Sequence, residues 1–256
     1  MNKHMESNNL GQKCDFSVAH YIHTLKNYQK SHKFSSYSDC SDNDVILRHD
    51  IDFSLEDALR IAEVENKLEI KSTFFVLLHS ELYNPLGYIS SKIVSKILKL
   101  GHNIGLHYDE IFFEQTNTDL SEGVEKELRL LEQHFDTTIE AVVRHNPSIR
   151  GDKVPIKLPN GIIDAMSEEF RIKRKYLSDS VQYWREGCFC QHQTNFTKFQ
   201  ILTHPALWTD TSLPRSEILP RISKRFIESH QNLINEYTML WDEYVKQRFI
   251  EKNQKL

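Results

Sequence analysis

Short apolar runs alternate with stretches of helical spacing along most of this chain. DVILRHDI (44–51) is a compact apolar run and predicts a buried strand. Ser54 stands where a helix N-cap belongs, with Asp57 three residues on, a variant of the capping box. The amphipathic LEDALRIAEVENKLE (55–69) follows as a helix, and IKSTFFVLL (70–78) as a second strand. SSKIVSKILKLG (90–101) predicts a helix stopped by Gly101. A third strand is expected at HNIGLHY (102–108), a helix over 119–135 and a fourth strand at IEAVVRHN (139–146). Weaker strands lie near 170–178 and 198–204. Ahead of this series, 1–13 reads as a polar tail. Residues 14–33 read as a helix carrying Phe16, Tyr21, Leu25 and Tyr28, and the Ser/Asp-rich 34–43 as a loop. A long charged helix over 217–251 closes the chain. Its apolar residues, among them Phe226, Leu233, Tyr237, Leu240, Trp241 and Tyr244, fall mostly on one broad face.

Strands alternating with helices of this length imply βαβ units and a parallel sheet. Strands that are apolar throughout imply a sheet covered on both faces. The expectation is an α/β fold of barrel type: one domain over 14–256, with a core over 44–208 and helical additions at both ends. The apolar face of the last helix would pack on that domain or on a second copy in a homodimer.

A length of 256 residues fits one β/α barrel. With 32 Lys+Arg against 36 Asp+Glu, net charge −4, the chain lacks the positive charge of a nucleic-acid binder. There is no apolar run of ~18 residues to span a membrane. The first residues, MNKHMESNNLGQKCDF, carry no apolar core of a secretion signal, so a cytoplasmic location is expected. Four cysteines, Cys14, Cys40, Cys188 and Cys190, are too few for a disulfide scaffold. No CxxC pair announces a structural zinc site, and Cys188-Phe-Cys190 reads as two ordinary thiols.

In such folds the site lies at the C-terminal ends of the strands. Those ends read Arg48-His49-Asp50-Ile51-Asp52, Gly105-Leu106-His107-Tyr108-Asp109, Arg144-His145-Asn146-Pro147, Leu177-Ser178-Asp179-Ser180 and Leu202-Thr203-His204-Pro205. Every one carries a His, Asp or Arg, and carboxylate with imidazole suits a zinc-type ion with an open position. Such an ion lowers the pKa of a bound water toward neutrality and polarises a carbonyl. A second carboxylate can then act as base, and a histidine across the cleft can protonate a leaving group. Asp50 and Asp52 are two apart, so on extended backbone both face one side while Ile51 turns away. One ligand and one base can come from that single strand end. The plain alternatives are a strand-terminal turn with an Asx cap for the two aspartates, and satisfied core histidines for His107 and His204.

The segment Arg48-His49-Asp50-Ile51-Asp52 with SLEDALRIAEVE, then STFFVLL, then GHNIGLHYD, resembles the polysaccharide deacetylase superfamily (NodB-like, carbohydrate esterase family 4). The likeness runs over roughly 44–208 and is nearest to divergent members with an Arg-His-Asp-x-Asp first motif, which accompany surface-polysaccharide biosynthesis. It implies a deformed (β/α) barrel of about seven strands. It implies a divalent metal, zinc first, held by Asp52 and His107. Ile111 stands where the family has its second ligand histidine, and His145 is the candidate replacement. It further implies Asp50 as base, with the Asp50 and Asp52 roles open to exchange, Arg144 near that base, Asp179 fixing the site and His204 as acid. Tyr108 and Trp208 would be stacking walls or ordinary packing, with His49 and His102 as supports.

The expected activity is metal-dependent removal of an N-acyl group, acetyl first, from an amino sugar. A nucleotide- or lipid-linked intermediate of surface-polysaccharide synthesis fits the expected compartment. Two alternatives remain at this point: a metal-free hydrolase of another C–N bond on the same scaffold, and a non-catalytic binding or assembly subunit.

Overall fold

The computed structural model describes residues 14–145 and 156–253. The expected tail 1–13, and Asn146 and Pro147 of the strand end Arg144-His145-Asn146-Pro147, lie outside the described residues. The chain divides into two compact units that meet in sequence at Leu213 and Pro214.

The first unit opens with α1 (Val18–Tyr28) and β1 (Lys33–Phe34), then β2 (Asp44–Ile51), α2 (Leu55–Asn66), β3 (Thr73–Val76) and α3 (Tyr88–Lys99). It continues with β4 (Asn103–Tyr108), α4 (Glu110–Gln115), α5 (Leu120–Phe135) and β5 (Ala141–Arg144). β6 (Ile163–Asp164), α6 (Glu168–Arg171), β7 (Lys175–Ser178) and β8 (Phe199–Thr203) complete it. The second unit is α7 (Arg215–Asn253), a single helix with Pro220 near its start.

Seven strands lie in the order β6-β5-β4-β3-β2-β8-β7, all neighbours parallel, and β1 pairs beside β2. The sheet curls into a half-barrel with helices between its strands, a deformed (β/α) barrel as the resemblance implies. Strand alternation divides β2 between two environments. Ile46 shares a core cluster with Tyr37, Phe75, Ala141 and Val143, and Arg48 and Asp50 continue that face. His49 points the other way, toward α2: its Nε2 lies 2.8 Å from Glu65 and its Nδ1 2.8 Å from the Thr203 hydroxyl. Glu65, fully buried, also accepts from Ser72 at 2.6 Å and from the Tyr21 hydroxyl. A buried polar network therefore ties α1 and α2 to the back of the sheet.

Both expected helix ends form as caps. Ser54 Oγ accepts from the Asp57 amide at 3.1 Å, and Gly101 takes φ +89° just past α3. Gly105, in β4, has a different use: a Cβ there would meet Phe75 at 2.5 Å and the Ala141 carbonyl at 3.0 Å. Only a bare backbone lets β4 sit so close to its neighbours. The elements unforeseen in the sequence are the short β1, α4, β6 and α6. The strand expected from 170 begins at Lys175, because Glu168–Arg171 turns as a helix first.

Candidate active site

The C-terminal ends of β2, β4, β5, β7 and β8 bring the expected residues together. Asp52 follows β2, and its Oδ1 lies 3.3 Å from His107 Nε2 and 3.6 Å from His145 Nδ1. The two imidazoles approach at 3.1 Å, Nε2 of His107 to Nδ1 of His145. These three side chains present one ligand atom each, all within 4.8 Å of one another.

The donor set fits a divalent ion. Asp52 Oδ1 is buried without a hydrogen-bond partner, a costly state for a carboxylate oxygen that a cation would relieve. His107 Nδ1 donates to the Val143 carbonyl at 3.1 Å, which fixes the tautomer and leaves Nε2 free to ligate. Two imidazoles and one carboxylate make a zinc-type set with room for a further ligand. Ile111, in α4, contributes no ligand atom, and β5 supplies the third group instead.

Asp50 occupies a different environment. Arg48 grips both its oxygens, Nε to Oδ1 at 2.8 Å and Nη2 to Oδ2 at 2.7 Å. Burial alone would raise the Asp50 carboxyl, but the Arg48 guanidinium and His107 outweigh it and hold it well below the usual carboxylate range. Burial likewise opposes charge on Asp52, and His107 and His204 bring it below its ordinary value. His107 shows the reciprocal effect: burial disfavours its charge, yet Asp50 and Asp52 lift it. His145 is pulled down by burial and by the neighbouring His107.

Across the cleft stands a second pair. His204 Nδ1 lies 2.6 Å from Asp179 Oδ1, and its Nε2 is 3.6 Å from Asp52 Oδ2. Asp179 is wholly buried, accepts from the His204 amide at 3.1 Å and takes the Trp208 indole N–H at 2.9 Å. Burial works against charge on His204, but Asp179, then Asp52 and Asp50, raise it to about 9. Asp50, Ile51, Asp52, Phe53, Ser54, His204, Pro205 and Ala206 line one small cleft. A roomier cavity lined by Lys33, Lys71, Asn103 and Glu140 lies at the opposite strand ends, away from these acid and base groups.

The arginine on Asp50 is Arg48, whereas Arg144 forms a buried ion pair with Glu110 at the start of α4. The alternation argument that aligned Asp50 with Asp52 also aligns Arg48, so the signal lay in the sequence. Glu110 and the Trp208 indole carried none, since their partners are distant in the chain. Trp208 is fully buried, 4.9 Å from Tyr21 and 5.1 Å from Phe16 between ring centres, so it packs rather than lines a substrate wall. His102 is structural, held by Ser72 at 3.0 Å and the Ala62 carbonyl at 3.0 Å.

No protein-family model matches the chain, and no curated protein matches it. Solved structures do. A CE4 family pseudoenzyme from Bacillus anthracis is 14% identical with TM-score 0.38, covering 74% of this chain and 62% of its own. A peptidoglycan deacetylase from Bacillus subtilis is 14% identical with TM-score 0.40, over 77% and 96%. A family 4 acetyl xylan esterase from Clostridium thermocellum, in complex with cobalt, is 15% identical with TM-score 0.38, over 71% and 84%. The chain thus spans 62% of the length of the anthracis protein.

Proposed function

We propose that this chain is a metal-dependent hydrolase that removes an N-acyl group, acetyl first, from an amino sugar. The observation that carries the reading is the convergence of Asp52, His107 and His145 on one point, between an arginine-bound aspartate and an aspartate-bound histidine. A divalent ion, zinc first, held by those three would supply Lewis acidity, lowering the pKa of a water and polarising the amide carbonyl.

The remaining chemistry belongs to the chain. Asp50, kept ionised by Arg48, accepts a proton from the attacking water. Its two oxygens are fixed by the guanidinium, so it needs no reorganisation during the reaction. His204, protonated at neutral pH, gives its Nε2 proton to the departing amine. Asp179 takes the His204 Nδ1–H, orients the ring and stabilises its charge. Trp208 and the His204 amide hold Asp179 in turn. Arg144 with Glu110 braces the end of β5 from which His145 projects. The proposed substrate is a nucleotide- or lipid-linked amino sugar in surface-polysaccharide synthesis, met in the cytoplasm. No helix among the described residues is long and apolar enough to cross a membrane.

The test is metal content of untagged protein with His107→Ala, followed by hydrolysis of N-acetylated nucleotide sugars with Asp50→Asn. The reading expects metal at this site in the wild type, its loss in His107→Ala, and turnover lowered about 100-fold or more in Asp50→Asn. Full activity in Asp50→Asn overturns the assignment of the base.

A further inference from the structure

Three of the four cysteines meet beside α1, at a cluster that shares no residue with the candidate active site. Cys14 lies just ahead of α1, and His20 is in the first turn of that helix. Cys188 and Cys190 belong to the short 3-10 turn Phe189–Gln191 and its cap, between β7 and β8. The Sγ atoms of Cys14 and Cys190 are 3.0 Å apart across 176 positions of sequence. His20 Nε2 is 3.2 Å from Cys188 Sγ. One ligand atom from each of the four residues lies within 4.8 Å of all the others. His20 and Cys188 are buried, and His20 Nδ1 has no hydrogen-bond partner.

We propose that Cys14, His20, Cys188 and Cys190 form a structural zinc site, separate from the Asp52–His107–His145 cluster. Three sulfurs and one imidazole are a closed four-ligand set of the kind that holds zinc tetrahedrally without leaving a position for water. With Zn–S of about 2.3 Å and Zn–N of about 2.0 Å, the edges of such a tetrahedron are about 3.8 Å between sulfurs and about 3.5 Å between sulfur and nitrogen. The 3.0 and 3.2 Å contacts sit several tenths of an ångström inside those edges, so small side-chain rotations admit the ion. Thiolate donors select zinc over magnesium or calcium, which require oxygen.

The cysteine spacing alone does not show the site, because its ligands come as a Cys-x5-His pair and a Cys-x-Cys pair brought together only by the fold. The ion would tie the start of α1 to the loop before β8. The aromatic cluster beside it, His20 at 6.5 Å and Phe189 at 5.8 Å from Trp208, carries that restraint to the indole that holds Asp179. The site is thus a staple behind the His204–Asp179 pair.

The test uses the full chain, reduced, loaded with cobalt(II) in place of zinc and read by absorption spectroscopy. Thiolate coordination gives near-ultraviolet sulfur-to-cobalt charge transfer and intense visible bands that an Asp/His site does not give. The expected result is this signature in wild type and in His107→Ala, and its loss in Cys188→Ser. Cys14→Ser, at an exposed position, is the companion variant should the buried substitution prevent folding, and it should weaken zinc binding by at least about 10-fold. Absence of the charge-transfer bands in folded, reduced wild type overturns the proposal. So does recovery of a Cys14–Cys190 disulfide from the native protein by peptide mapping. Because His107→Ala keeps this signature, failure of the catalytic metal site and failure of the staple are separately visible.

Discussion

Asp179→Asn removes one charge from the candidate site while keeping the side chain's size. The carboxylate it replaces is wholly buried, 2.6 Å from His204 Nδ1 and 2.9 Å from the Trp208 indole nitrogen. It is the largest of the influences that lift His204 from an ordinary 6.5 to about 9, against the effect of burial. At about 1.36 kcal/mol per pKa unit, that whole gap corresponds to roughly 3 kcal/mol of preference for the charged imidazole. Asp52 and Asp50 supply part of it, so removing Asp179 alone should lower the His204 midpoint by about one to two pH units. The assay is an NMR titration of the His204 ring in metal-free protein. At pH 8 the protonated fraction should fall from about nine tenths to about a half or less. A midpoint unchanged in Asp179→Asn would show that the pair does not set the charge of His204, and the role of Asp179 as partner of the acid would fall with it. Adding zinc to the wild type should lower the same midpoint, because neutralising Asp52 removes another of its supports.

His145→Ala should weaken zinc binding at the Asp52–His107 cluster by about 100-fold or more, since loss of a ligand exceeds the ~10–100-fold cost of losing a ligand's support; calorimetry in the Cys188→Ser background isolates that site. Gly105→Ala should destabilise the fold by about 1–3 kcal/mol, because its Cβ would fall 2.5 Å from Phe75, and the urea midpoint measures it. Glu127, buried near Asp109, has its carboxyl raised from 4.5 to about 8, burial being the main cause. Its folded pKa exceeds the unfolded one, so its contribution to stability is full below about 4.5 and is lost as pH rises toward about 8. Glu127→Gln, which can still face His79 at the position now 2.8 Å away, should therefore match wild type at acid pH and be the more stable at about pH 8.5 in urea titrations.

The central strands were legible because each is a continuous apolar run ending in polar residues. β2 occupies the expected Asp44–Ile51 unchanged. The Ser54 cap was legible because its chemistry is local. β6 and α6 were not, since two to four residues are too few to display a period. At the site, Asp50, Asp52, His107, His145, Asp179 and His204 were all readable as strand-end residues. Which of them touch was not, because that depends on strand order: β8 lies beside β2 although more than a hundred residues separate them. The same limit concealed the Arg144–Glu110 pair and the cysteine cluster. Arg48 is the instructive case, since its contact with Asp50 is local and follows from alternation alone.

That locality has a consequence for how the site can change. Arg48 and Asp50 sit two apart on one strand and carry their mutual electrostatic tuning with them. The ligand atoms come instead from β4, β5 and the residue beyond β2, so their geometry depends on the register of separate ladders. Substitutions or loop changes around β5 can erode metal affinity while the aspartate keeps its depressed pKa. The reverse, a detuned base with an intact ligand set, follows most directly from a change at Arg48 in β2. The two features are therefore separable by substitution, one around β5 for the ligand set and one at Arg48 for the aspartate.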